Sequence, residues 1–137
     1  MRTVTTRTTQ RFFDARPESV GQARSFTSEA LADWGLPDRA EDVRLCVSEL
    51  ATNALVHGTA PGHGFLVRLD ADEEVVRLEV HDSRRRHPEA RQAAGTDTSG
   101  RGLFLVNALA DSWGVEYRTP FGKIVRSCFK ATGDTTA

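Results

Sequence analysis

The chain has 137 residues, 39% hydrophobic and 27% charged, which suits one domain with a core of its own. Lys and Arg total 18 against 19 Asp and Glu, a formal charge of -1. A phosphate backbone needs an uncompensated positive surface, so direct nucleic-acid binding is not expected. The two cysteines, Cys46 and Cys128, make no disulfide framework and fit a reducing, cytoplasmic setting.

Met1 to Gln10 is polar and Thr-rich, with no apolar stretch after its arginines, so no signal peptide is expected. Met1–Thr9 and Thr132–Ala137 read as frayed ends around an ordered core of about residues 10 to 130, one domain spanning 1–137. Gln10–Phe13 reads as a short strand. From Glu18 to Trp34 the apolar residues Val20, Ala23, Phe26, Ala30, Leu31 and Trp34 recur at helical spacing, with Pro17 suited to the first turn and Gly35 and Pro37 to the stop.

A second helix is predicted from Asp38, as N-cap, to His57, with Gly58 as the stop. At about 100° per residue, Val43, Val47, Leu50, Ala51 and Ala54 share a core face, and Glu41, Arg44, Ser48 and Thr52 face water. Glu49, Asn53 and His57, four residues apart, form a second polar stripe, flanked by Val43 and Leu50 on one side and Leu45 and Val56 on the other. Sheltered polar groups without partners cost roughly 1–3 kcal/mol each. Three in line therefore point to a site more than to a structural bond. An Asn oxygen is a hard ligand for Mg²⁺, and a Glu carboxylate can take a proton.

Phe65–Leu69 and Val75–Val80 alternate as strands joined by the acidic turn Asp70-Ala71-Asp72-Glu73. Asp82 follows the second strand, where a sheltered carboxylate could accept from an exocyclic amine; a turn cap is the plainer role. Asp82–Ser99 has no period and reads as a long loop. Thr98-Ser99-Gly100-Arg101-Gly102-Leu103 then brackets a helix start with glycines, where free N–H groups and the helix dipole attract anions. That third helix is predicted to run to Asp111. Its nearly apolar stretch Leu103–Ala110 is interrupted by Asn107 and too short to span a membrane. Val115–Tyr117 and Ile124–Phe129 close the chain as a hairpin around Pro120-Phe121-Gly122. The fold class expected is an α+β two-layer sandwich, an antiparallel or mixed sheet covered on one face by helices.

Taken together, these motifs resemble the Bergerat ATP-binding fold of gyrase-type ATPases, histidine kinases and bacterial anti-sigma-factor serine kinases. Ser48–Gly58 resembles its N box, Val80-His81-Asp82 the strand into the first glycine box, and Gly100-Arg101-Gly102-Leu103 the second. Phe12-Phe13, Ala23-Arg24-Ser25-Phe26, Leu31-Ala32-Asp33-Trp34-Gly35 and Asp111-Ser112-Trp113-Gly114 resemble the anti-sigma-kinase branch, and the likeness covers about Arg11 to Lys130.

The resemblance implies ATP and Mg²⁺ as cofactors. Asn53 would hold the metal against the phosphates, and Glu49 would be the catalytic base for the attacking hydroxyl. Asp82 would read the adenine amino group, while Ser99, Gly100, Arg101, Gly102 and Leu103 would wrap the phosphates. His57, the third member of the stripe, is counted with the nucleotide-binding residues, and Asp82–Ser99 would be the lid. The acceptor would be a serine or threonine of a partner protein, an anti-anti-sigma antagonist, with a sigma factor as the other partner; a homodimer is also open to this branch. The sequence departs from the family at Ser83-Arg84-Arg85-Arg86, in place of the first glycine box, and at Ile124, where relatives often carry a Thr that supports the water beside adenine. Those departures keep an alternative in view: a nucleotide-binding or partner-sequestering module of weak or no turnover. A detached histidine-kinase ATPase domain is a third reading. It ranks lower because none of His57, His63, His81 and His87 sits in a phosphoacceptor dimerisation domain.

Overall fold

Five strands form one antiparallel sheet in a computed structural model that describes residues 6–58, 63–83, 105–117 and 122–131, with only the backbone at 57 and 58. They are β1 (Arg7–Asp14), β2 (Gly64–Ala71), β3 (Val75–Asp82), β4 (Ser112–Tyr117) and β5 (Lys123–Lys130), in the order β1-β2-β3-β5-β4. Helices α1 (Glu18–Asp33) and α2 (Ala40–Asn53) pack against each other, and the described residues 105–109 are helical and belong to α3. This is the α+β sandwich expected. The termini before residue 6 and after 131, the turn 118–121 and most of the Asp82–Ser99 loop lie outside the described residues.

Strand alternation splits the sheet into two faces. Val76, Leu78 and Val80 of β3 and Val125 and Phe129 of β5 turn inward and join Val43, Val47 and Leu50 of α2 in the core. The outer face carries charge instead. There Arg126 pairs with Glu79 and Glu116, His81 Nε2 lies 2.8 Å from Glu79, and Asp70 accepts from Arg77 at 2.6 Å.

The elements begin and end on local chemistry. Gly35 takes φ 72°, and the bonds Leu36 N–H to Leu31 O and Gly35 N–H to Ala32 O close α1 as a Schellman cap. Asp72 Oδ1 accepts from the N–H groups of Glu74 and Val75 and shapes the β2–β3 turn. β1 corrects the expectation of a frayed start: pairing with β2 begins at Arg7. Phe13 is its one buried side chain, so this edge strand has little apolar alternation for the sequence to display. Ser19 and Thr27 also join the buried side of α1, each hydroxyl satisfied by a main-chain oxygen, that of Asp14 and of Arg24.

Helix α2 departs from expectation at both ends. Its N-cap is Arg39, not Asp38, without a side-chain cap bond, and its last turn, Ala54–Gly58, is a π turn. Ser48 and Thr52 do not face open water: Ser48 accepts from Arg24 Nη1 at 3.2 Å across the α1–α2 contact, and both residues are half-buried. α3 ends at residue 109, short of Asp111, where the Ala110 N–H reaches Val106 O.

Arg39 fastens these layers. Its guanidinium donates to Asp42 and to Asp111 Oδ2 at 2.9 Å, and to the carbonyls of Lys130 and Leu109, while stacking over Phe129 at 5.3 Å. Cys46 on α2 is buried, which pushes its thiol up to about 12, an inert core group; Cys128 on β5 is also free.

Arg39→Ala should therefore lower stability by about 3 kcal/mol, because it takes the guanidinium donors from Asp42 and from the Leu109 and Lys130 carbonyls and leaves Asp111 with the Lys130 N–H; urea unfolding checks this. The Lys130 main-chain N–H, and then Arg39, hold the Asp111 carboxyl below its ordinary 3.8. A lowered folded-state value means stability that is present above that pH and lost below it, so the Arg39→Ala penalty should shrink as pH falls under about 4. Ser127, wholly buried on the inner face of β5, has a hydroxyl with no hydrogen-bond partner among the described residues. Ser127→Ala should raise stability by about 1 kcal/mol, and a melt unchanged or lowered would show a bond we do not see.

Candidate functional site

The end of α2 carries the first part of the site. α2 lies against β3, and the π turn that continues it lies against β2 and β3. Periodicity turns Val43, Val47, Leu50 and Ala51 into the core, and that rotation carries Asn53, 7% exposed, to the buried border of the helix. Glu49, one turn earlier, is half-buried. Among the described residues neither the Glu49 carboxylate nor the Asn53 carboxamide makes a hydrogen bond or ion pair.

Two parts of the predicted stripe change. Leu45 and Val56, expected to shelter one side, are 41% and 62% exposed, so the stripe sits at the edge of the covered surface. The four-residue spacing from Glu49 to Asn53 is also interrupted before His57 by the π turn, a feature often found at functional sites; the His57 side chain lies outside the described residues.

The second part is the end of β3. Asp82 is the last residue of the strand rather than the first of a loop. It follows Val76, Leu78 and Val80 in the period of two, so its side chain turns to the helix-covered face and is only 3% exposed. Directly across from it on β5 is Lys123, whose Nζ lies 3.5 Å from Asp82 Oδ2. The sequence reading singled out Ile124, where relatives often carry a Thr, rather than Lys123. Ile124 pairs with His81 on the opposite face, so Lys123 is the β5 residue that meets Asp82. Sequence inspection missed Lys123 because the pairing joins residues about forty positions apart and a one-residue shift of register reverses the face.

Gly64 opens β2. A Cβ there would lie 2.1 Å from the Phe13 carbonyl, so only glycine lets β1 and β2 meet at this end of the sheet. Ser83 follows Asp82 and hydrogen-bonds His63 at 3.2 Å. The predicted phosphate loop, Ser99, Gly100, Arg101, Gly102 and Leu103, and the arginines 84–86 lie outside the described residues.

The donor set suits a Mg-nucleotide better than a protein-caged metal. Among the described residues no three His, Cys, Asp or Glu side chains cluster as metal ligands. Mg²⁺ is commonly held by one or two protein oxygens together with phosphates and water, a demand that the unpartnered Asn53 oxygen can meet. The sheltered Asp82 carboxylate suits an amine donor.

The sequence matches the histidine kinase-like ATPase domain family over residues 13–129, and the chain belongs to that family. No curated relative matches the chain. Membership accounts for the antiparallel sheet with its helices and implies a domain built to bind ATP. Among the described residues no helix is long and apolar enough to cross a membrane.

An Asn53 amide reserved for a ligand contributes nothing to folding. Asn53→Ala should leave the unfolding free energy within about 0.5 kcal/mol of the parent, whereas an amide bonded within the protein would cost about 1–3 kcal/mol. Urea denaturation without nucleotide separates the two cases.

Proposed function

We propose that this chain is an ATP-dependent serine/threonine protein kinase that regulates a partner protein by binding and phosphorylating it. The observation that carries the reading is the sheltered, unpartnered pair Glu49 and Asn53, one helical turn apart at the end of α2 in a domain of ATPase type.

ATP bound with Mg²⁺ supplies a transferable γ-phosphoryl group whose charge the metal offsets. Asn53 holds the metal through its amide oxygen. Asp82 accepts from the exocyclic amine of the base and fixes the nucleotide against the sheet. Glu49 would accept the proton of the partner's hydroxyl as its oxygen bonds to the γ-phosphorus and the bond to the bridging oxygen breaks, ADP leaving with that electron pair. The likeness of Gly100-Arg101-Gly102-Leu103 to the second glycine box supports giving the phosphates to Ser99 to Leu103.

The acceptor is a serine or threonine on a protein. The likeness to the anti-sigma-factor kinases favours an antagonist protein as the phosphorylated partner and a sigma factor as the one restrained, with control of transcription as the outcome. A homodimer and a cytoplasmic setting belong to the same reading.

Glu49→Gln should leave the Kd for Mg-ATP within about twofold and cut phosphoryl transfer about 10²- to 10⁴-fold, the usual contribution of a general base. Asn53→Ala should weaken Mg-dependent ATP binding by about tenfold or more, or about 1.4 kcal/mol. Calorimetry with and without EDTA reads the second effect, and transfer of labelled phosphate to a co-purified acceptor protein reads the first. Parent and Glu49→Gln proteins that bind ATP alike and transfer nothing would make the chain a nucleotide-dependent sequestering module. An Asn53→Ala protein that binds Mg-ATP as the parent does would remove the assigned site.

A further inference from the structure

Of the 18 basic residues only Lys123 and Lys130 are lysines. The ion pairs of the fold and of the outer sheet face use arginine: Arg39 with Asp111, Arg77 with Asp70, Arg126 with Glu79. The pair at the end of β3 uses lysine, and it is the most deeply sheltered of them, with side-chain exposures of 13% for Lys123 and 3% for Asp82. Lysine is seldom buried without a counter-charge. It offers a compact point donor on a flexible stem where arginine offers a flat fork.

Their separation of 3.5 Å is longer than a direct charge-assisted hydrogen bond of about 2.8 Å. Among the described residues Asp82 is the one ionic partner of Lys123. An ammonium has three donors and no acceptor, and a carboxylate accepts only. Side by side on one face they present a donor next to an acceptor.

We propose that Lys123 is a specificity-determining residue that reads the base together with Asp82. Its ammonium donates to the ring nitrogen beside the exocyclic amine, and Asp82 accepts from that amine. The inference rests on the assignment of Asp82 to the base. An adenine edge offers an amine donor next to a ring-nitrogen acceptor, the complement of this pair; guanine offers the opposite order, a carbonyl next to a ring N–H. Without nucleotide the same ammonium stands against the sheltered carboxylate. With it, the loose ion pair exchanges part of its attraction for two hydrogen bonds to the base.

The test compares Mg-ADP with the Mg complex of 1-deaza-ADP, in which carbon replaces that ring nitrogen, by calorimetry on the full chain. The parent should bind the analogue about tenfold or more weakly, the value of one hydrogen bond to a charged donor. Lys123→Met should bind both ligands equally. In protein labelled with ¹⁵N-lysine, the two Nζ signals give an internal comparison: Lys123 should shift with ADP and not with the analogue, and Lys130 should stay still. That parent measurement decides the matter even if Lys123→Met fails to fold. Equal affinity of the parent for both ligands, an unmoved Lys123 signal, or a preference that survives Lys123→Met would overturn the role of Lys123 and leave nucleotide binding intact. A parent that binds neither ligand would overturn the nucleotide assignment and this inference with it.

Discussion

A single guanidinium sets where the site can be. Arg39 stands at the start of α2 and bonds to Asp42 on its own helix, to the Leu109 carbonyl at the end of α3 and Asp111 just beyond it, and to the Lys130 carbonyl at the end of β5. A planar cation with five donors is the side chain that can satisfy so many acceptors from one place, and a charge this sheltered has to satisfy them. The consequence is mechanical. With its first turn tied to the last strand, α2 has one rotation that buries Val43, Val47 and Leu50, and that rotation puts Asn53 at the border of the core and Glu49 just outside it. The clamp and the site are at opposite ends of the same helix.

The sheet imposes the second constraint through its period of two. Along β3 the outward residues Arg77, Glu79 and His81 join a ladder of polar and charged side chains on the outer face, with Asp70, Glu116 and Arg126. The inward residues Val76, Leu78 and Val80 are core, and the next inward position is Asp82. A carboxylate one step past three buried apolar residues stands where the sheet face emerges from beneath the helix layer. The π turn of α2 comes down on the same two strands, β2 and β3. The polar end of the helix and the polar end of the strand thus belong to one side of the sheet.

Local periodicity made much of this legible in the sequence. The core face of α2 was readable because five apolar residues fall within one arc, and Glu49 and Asn53 because polar residues interrupt an otherwise sheltered border. Asp82 was readable as the end of an apolar strand. What escaped depends on partners distant in the chain. β1 looked like a frayed end because an edge strand with one buried side chain has no pattern to offer. Ser48 and Thr52 looked solvated because the wheel of α2 does not contain Arg24 of α1. Lys123 was passed over for Ile124 because adjacent strand residues point to opposite faces, and only the register with β3 says which one meets Asp82.

That register raises an energetic question whose answer bears on function. A cross-strand pair two rungs along the same face, Val80 with Val125, is apolar and contributes by burial. An apolar pair in place of Asp82 and Lys123 would avoid the desolvation of two ions, and such replacements are often neutral or stabilising. Folding therefore does not require charge at this rung. The same holds at Asn53, where an apolar residue of similar size would fit the buried end of α2 with no unmade hydrogen bond. Three positions on one side of the sheet, drawn from three elements far apart in sequence, carry polar groups that stability alone would not select. A ligand that offers an amine and a ring nitrogen to the pair and a phosphate-bound metal ion to the amide accounts for all three at once.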